Sequence, residues 1–143
     1  MSREAPAARS EFNVWRRFTT RWGDNDPYGH VNNTIFYQWF DSAVNGWLVE
    51  QGLLDIAAGD PIGLVVETRC VFFAPLQFPQ DVEVGLVVAQ LGRSSVRYRI
   101  GVFAEGAAQA AAQGDFVHVL VDRATRFPVN LPDDWRSALE AIS

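Results

Sequence analysis

At 143 residues the chain has the length of one domain and can bury a proper core. Hydrophobic residues make up 48% and charged residues 20%, the balance of a soluble globular protein. A net charge of −5 with no basic run excludes a general nucleic-acid binder, yet scattered arginines leave room for an anionic small ligand.

Residues 1–10 are rich in Ala, Pro and Arg and are expected to be a flexible N-terminal tail, with one domain over 11–143. They lack the apolar segment of a signal peptide. No run approaches the length of a membrane span. Residues 12–22 alternate as a half-buried strand. Phe12, Val14, Phe18 and Trp22 fall on one face, and Asn13, Arg17, Thr19 and Arg21 on the other. Next comes the polar stretch Gly23-Asp-Asn-Asp-Pro-Tyr-Gly-His-Val-Asn32, punctuated by Gly23, Pro27 and Gly29 as a shaped loop.

Residues 34–51 carry the one long helical pattern. Ile35, Phe36, Trp39, Phe40, Ala43, Val44, Trp47 and Leu48 recur at spacings of three and four. So wide a stripe predicts a helix buried on most sides, about 27 Å long, with Gly52 as its C-terminal cap. Residues 53–61 are a connection. Strand patterns follow over 62–73, 81–91 and 93–104, and a less regular one over 107–122. Val82, Val84, Leu86 and Val88 share one face. Val96, Tyr98, Ile100 and Val102 share another, opposite Arg97 and Arg99. Gly92 and Glu105-Gly106 are turn signals that imply an antiparallel meander. Residues 130–135 open a short terminal helix. The order is α+β. Strands of about 35 Å are long enough to wrap the helix. One helix cannot cover five strands on both faces, so a second copy is expected to complete the sheet.

The loop places two acids, Asp24 and Asp26, ahead of a helix start. A carboxylate there can activate water or attack a carbonyl, and the helix dipole favours its ionised form. The blander reading is an Asp that bonds its own turn, and for Asp24 that reading prevails. His30 reads as a brace bonded to backbone, and His118, in a valine-rich strand, as structural. Tyr28, Trp22 and Trp39 read as packing more than as walls of an acyl pocket, though one ring can serve both. Arg93, next to Gly92, reads equally as a phosphate contact or a solvated turn residue. Asp24-x-Asp26-x-x-Gly29 lacks the Glu of a calcium loop, since Ile35 stands in the twelfth position. Two distant histidines and the lone Cys70 make a poor zinc set.

The chain resembles the hot-dog-fold thioesterases, in the branch of 4-hydroxybenzoyl-CoA thioesterase and related acyl-CoA thioesterases. The likeness runs over residues 13–139. It rests on Arg21-Trp-Gly-Asp-Asn-Asp-Pro-Tyr-Gly-His-Val-Asn-Asn33, Ala74-Pro-Leu76 with Asp81-Val-Glu83, Leu91-Gly-Arg-Ser-Ser-Val96, and Val121-Asp-Arg-Ala-Thr-Arg126. The resemblance implies a five-stranded antiparallel sheet around a long central helix, and hydrolysis of an acyl-CoA thioester. It puts the catalytic carboxylate on Asp26, as nucleophile or general base. It puts an oxyanion donor on the backbone N–H of Asn33, where one branch of the family has a histidine. It implies coenzyme A phosphate contacts at Arg93 and Ser94, with Asp24 and His30 supporting the loop. A homodimer or homotetramer in the cytoplasm follows, with no metal or redox cofactor. Hot-dog hydratases use an Asp five residues before a His; here that residue is Asn25, which argues against hydration. The rival of a different class is a non-catalytic acyl-CoA or acyl-carrier-protein binding module. The acyl group, and coenzyme A against a carrier protein, stay open.

Overall fold

The structure, a computed structural model, describes residues 4–143. Strand β1 (Val14–Thr19) leads through the polar loop into helix α1 (Asn33–Glu50). Then follow β2 (Ile62–Phe72), β3 (Asp81–Leu91), β4 (Ser95–Ala104), β5 (Ala112–Val121) and the terminal helix α2 (Asp133–Glu140). The five strands form one antiparallel sheet in the order β1-β3-β4-β5-β2. The meander β3-β4-β5 is the one implied by its turn residues. Helix α1 carries the chain from one edge strand, β1, to the other, β2. It lies in the hollow of the sheet, which is the hot-dog arrangement.

Local sequence sets the helix ends. Asn32 caps the start, its Oδ1 accepting from the Thr34 N–H at 3.0 Å. Gly52, at φ 72°, ends it in the left-handed conformation that a side chain disfavours. All eight residues of the predicted stripe are buried. They meet Val82, Val84, Leu86 and Val88 of β3 and Val96, Tyr98, Ile100 and Val102 of β4 in one core, with Trp135 and Leu139 of α2. The expectation that the helix is buried on most sides needs correcting. Gln38, Asp41, Ser42, Val49 and Glu50 are exposed, because the sheet wraps one side only. No helix among the described residues is long and apolar enough to cross a membrane.

The start of the chain also differs from its reading. Residues 1–3 of the expected tail lie outside the described residues. From Glu4 onward the segment packs on the outer face of the sheet. Ala7 is 2% exposed, and its N–H donates to Gln113 Oε1 at 2.7 Å. Gln113 Nε2 donates to Glu4 Oε2 and to the Ala5 carbonyl, both at 3.0 Å. The physical reason is a second, small core on that face, in which Ala7, Phe12, Phe103 and Ala110 are buried. Phe12 therefore does not share the face of Val14 and Phe18. Its ring meets Phe103 edge-on at 5.8 Å. Gly85 and Gly101 give it room, since a Cβ on either would lie 2.8 Å or less from Phe12 atoms. Trp22, assigned to the same face, is 83% exposed, because the strand ends at Thr19.

Two polar atoms in the hollow lack partners among the described residues. Tyr98 Oη and His118 Nδ1 are buried on adjacent strands, their rings 6.1 Å apart. At the β2 edge Leu64, Val65 and Val66 are 37%, 48% and 60% exposed.

Candidate active site

The loop between β1 and α1 is built by backbone bonds to the segment preceding β3. Thr20 N–H donates to the Gln80 carbonyl at 3.3 Å, and Val31 N–H to the Leu76 carbonyl at 2.7 Å. Asn25 Oδ1 accepts from the Phe78 N–H at 3.1 Å. That is the structural use of the Ala74-Pro-Leu76 stretch: it anchors the loop from below.

Asp24 ends a single 3-10 turn, Trp22–Asp24, and is 1% exposed. Its carboxylate accepts from the Arg21 N–H at 2.8 Å and from the Arg21 guanidinium at 3.0 and 3.1 Å. Its carbonyl accepts from the Asn32 N–H at 2.9 Å. Both oxygens are thus engaged within the loop. Asp26 is different. It is half-buried and opens the next turn, its carbonyl accepting from the Gly29 N–H at 3.0 Å, with Gly29 at φ 83°. Its Oδ1 accepts from the Tyr28 N–H at 2.9 Å. Oδ2 has no hydrogen-bond partner among the described residues. Pro27 fixes the backbone beside it.

His30 braces the loop through its backbone, not its ring. Its carbonyl accepts from the Asp26 N–H at 2.9 Å, while the ring is exposed and makes no hydrogen bond among the described residues. The ring borders a cavity of about 280 Å³ with Pro75, Leu76, Gln77 and Gln80. At the helix start, Asn32 satisfies Thr34 and its carbonyl accepts from Ile35. The Asn33 N–H has no partner among the described residues. It is an exposed donor at the positive end of an 18-residue helix. Trp22, expected as packing more than as a pocket wall, forms an aromatic edge to the site. Trp22, Asn25 and Asp26 border one cavity of about 220 Å³, and Phe78 meets Trp22 edge-on at 5.8 Å.

Arg93 and Ser94 are not brought to Asp26 within one chain. They form the β3–β4 turn, where their carbonyls accept from the Leu131 and Leu120 N–H groups. Strand β3 begins beside the loop at Asp81 and ends beside this turn at Leu91. That separates the two by about 30 Å. The turn nevertheless sits among guanidinium groups that no described carboxylate neutralises. The chain has no lysine. Among the described residues, Arg93, Arg123, Arg126 and Arg136 pair with no carboxylate, while every other arginine does. Arg123 donates to the Gly59, Ile56 and Ala57 carbonyls, and Arg136 to that of Gly92, so they lie at the same end of the sheet.

Burial pushes the Cys70 thiol up to about 12, so it stays protonated and is no nucleophile at neutral pH. Among the described residues, no group of three or more His, Cys, Asp or Glu side chains is placed to hold a metal ion.

Among the described residues, the site therefore offers an unpartnered carboxylate oxygen in the loop and an unpartnered backbone donor at the helix start that follows it. Known proteins share its frame. The PA5185 protein of Pseudomonas aeruginosa is 49% identical, with a TM-score of 0.94 over 97% of each chain. The PA2801 protein of the same organism is 28% identical, with a TM-score of 0.82 over 87% of this chain and 96% of its own. A 1,4-dihydroxy-2-naphthoyl-CoA thioesterase from Synechocystis, 24% identical, shares the fold at a TM-score of 0.78 over 87% of this chain and 93% of its own. No curated protein matches the chain. The family profile of the Thioesterase-like superfamily matches residues 20–139, from the last residue before the loop motif into α2, and the chain belongs to that family.

Proposed function

We propose that the protein hydrolyses acyl-CoA thioesters, with Asp26 and the Asn33 N–H as its reacting groups. The observation that carries this reading is that one hydrogen-bonded loop and the helix start it leads into hold an unengaged carboxylate oxygen and an unengaged N–H among the described residues. The Asn33 N–H stabilises the thioester oxygen as it gains charge. Asp26 either takes a proton from the water that attacks the carbonyl carbon, or attacks that carbon itself and is released by water. In both courses the C–S bond breaks, coenzyme A leaves as a thiolate and is then protonated, and a free acid remains. Asp24 holds the loop and does not react. A panel of short, long and aromatic acyl-CoAs tests the proposal: release of free thiol supports it. Tight binding without turnover would return the protein to a non-catalytic acyl-CoA or acyl-carrier-protein binding module.

The proposal includes a homodimer joined through β2, whose edge is unpaired and partly apolar. Antiparallel pairing of two β2 strands sets the Ile62 end of one against the Phe72 end of the other. Phe72 touches Phe36 at 5.1 Å, near the helix start. Gly63 pairs with Leu120, whose N–H meets Ser94. A second copy would thus carry its Arg93 and Ser94 towards this chain's Asp26 loop, where they meet the phosphates of coenzyme A. Arg93→Ala is then expected to raise KM by about tenfold at low salt, equal to one charge-assisted hydrogen bond, with little change in kcat. Added salt should shrink the effect. Mixing Asp26→Asn with Arg93→Ala subunits should restore activity at low substrate, because each hybrid dimer holds one site with both native residues. A mixture no more active than the mean of its parents would remove Arg93 from the site.

A further inference from the structure

We infer that Trp22 is a specificity residue that selects planar aromatic acyl groups at the Asp26 site, a reading that rests on the proposed thioesterase activity. Trp22 is 83% exposed, in a chain that buries Trp39, Trp47 and Trp135. An indole left this open is a large apolar surface available to a ligand. Its position is fixed from both sides. The 3-10 turn it begins ends at Asp24, which is tied to Arg21 and Asn32. Phe78 meets it edge-on at 5.8 Å and 81°, the favourable geometry for two aromatic rings, and the Phe78 N–H is bonded to Asn25. A braced aromatic ring stacks on a planar partner with little loss of its own freedom.

The cavity of about 220 Å³ beside it is bordered by Trp22, Asn25 and Asp26. A space of about 150 Å³ holds a benzene ring, so this one takes a substituted six-membered ring. The Asp26 carboxylate must reach the thioester carbon. A ring in the same cavity is therefore joined to that carbon directly or through one atom. Adenine, the other planar ring of an acyl-CoA, lies at the far end of the pantetheine arm, many bonds from the reacting carbon. The geometry assigns the Trp22 face to the acyl side.

The test compares wild type, Trp22→Leu and Trp22→Phe on benzoyl-CoA, cyclohexanecarbonyl-CoA and butyryl-CoA, and on the benzoyl thioester of N-acetylcysteamine, which has no adenine. Trp22→Leu should lose about five- to tenfold in kcat/KM on both benzoyl thioesters, the worth of one aromatic pair. It should change little on the saturated ring or the butyryl chain. Trp22→Phe should keep most of the benzoyl rate. An equal loss on all acyl groups would overturn the inference, since Trp22 would then be ordering the loop. So would a loss confined to the coenzyme A esters, which would assign the indole to adenine. Calorimetric binding of the same coenzyme A esters separates this from the activity itself. If the wild type binds benzoyl-CoA in preference to the cyclohexane ester, hydrolyses neither, and loses that preference in Trp22→Leu, the inference holds and the hydrolase reading falls. Equal binding of the two esters by wild type and variant overturns the inference.

Discussion

Asp26→Asn is expected to lower kcat by about 10²–10⁴-fold, the usual cost of a lost base or nucleophile. That corresponds to about 3–5 kcal/mol of barrier. The substitution is nearly isosteric. The Asn amide oxygen can still accept the Tyr28 N–H bond that Oδ1 accepts now, so the turn should survive. What is lost is the charge and basicity of the free oxygen. Asp24→Asn should behave in the opposite way. Its carboxylate is 1% exposed and accepts from the Arg21 N–H and guanidinium, so the variant should lower the melting temperature. An activity loss at Asp24 should track loss of folding, on the order of 1–3 kcal/mol for a weakened buried network. The decisive data are kcat for both variants on the best substrate, with thermal melts alongside. A well-folded Asp26→Asn enzyme within tenfold of wild type, or a larger loss of kcat at Asp24 without a melting shift, moves the chemistry off Asp26. Single turnover in ¹⁸O-water then separates the two courses. Attack by Asp26 forms a mixed anhydride, and water that opens it at the Asp26 carbonyl leaves label in that carboxylate; general-base catalysis puts label only in the product acid, so label on Asp26 identifies the covalent course.

The parts of this site that could be read from sequence are those set by local chemistry. Gly52 behind the helical stripe and Gly29 within the turn each have a local physical role, and each appears where the pattern put it. The strand faces of β3 and β4 were equally plain, because alternation on a half-buried strand is a local signal. What escaped was set by distant partners. Trp22 continued an apolar alternation on paper, yet its environment is decided by Phe78, more than fifty positions away. Ala7 carries no signal of burial, and only the Gln113 amide and the Phe103 ring across the sheet make it part of a core. Arg93 and Asp26 looked like members of one site because both resemble family motifs. A strand of eleven residues stands between their ends of the sheet, and no local pattern reports that separation.

The largest pH effect on stability is expected at His118, between about pH 6.5 and 4. Burial in the hollow pushes this imidazole down from its ordinary 6.5 to about 4. The ring is 1% exposed, and no described carboxylate pairs with it. It packs against Phe116 at 4.9 Å and Tyr98 at 6.1 Å, and so closely against Gly63 that a Cβ there would lie 2.7 Å from Nδ1. Nothing on these neighbours offsets a positive charge. The fold therefore holds the ring neutral while the unfolded chain protonates it freely. In that window the unfolded state binds more protons than the folded one, so stability falls as pH falls. The contribution is fully present above about pH 6.5 and lost by about pH 4. A displacement of this size is worth about 3 kcal/mol, or roughly 10 °C in melting temperature for a chain of this length. The carboxyls of Glu83 and Asp122, held below their usual range mainly by backbone N–H bonds, add their own loss only at lower pH. His118→Leu has no such proton to bind. Its melting temperature should be nearly flat between pH 7 and 4.5, whatever its value at neutral pH, while the wild type falls steeply. Parallel slopes for the two proteins over that interval would mean that the acid sensitivity arises from other groups and that His118 is charged at no cost to the fold.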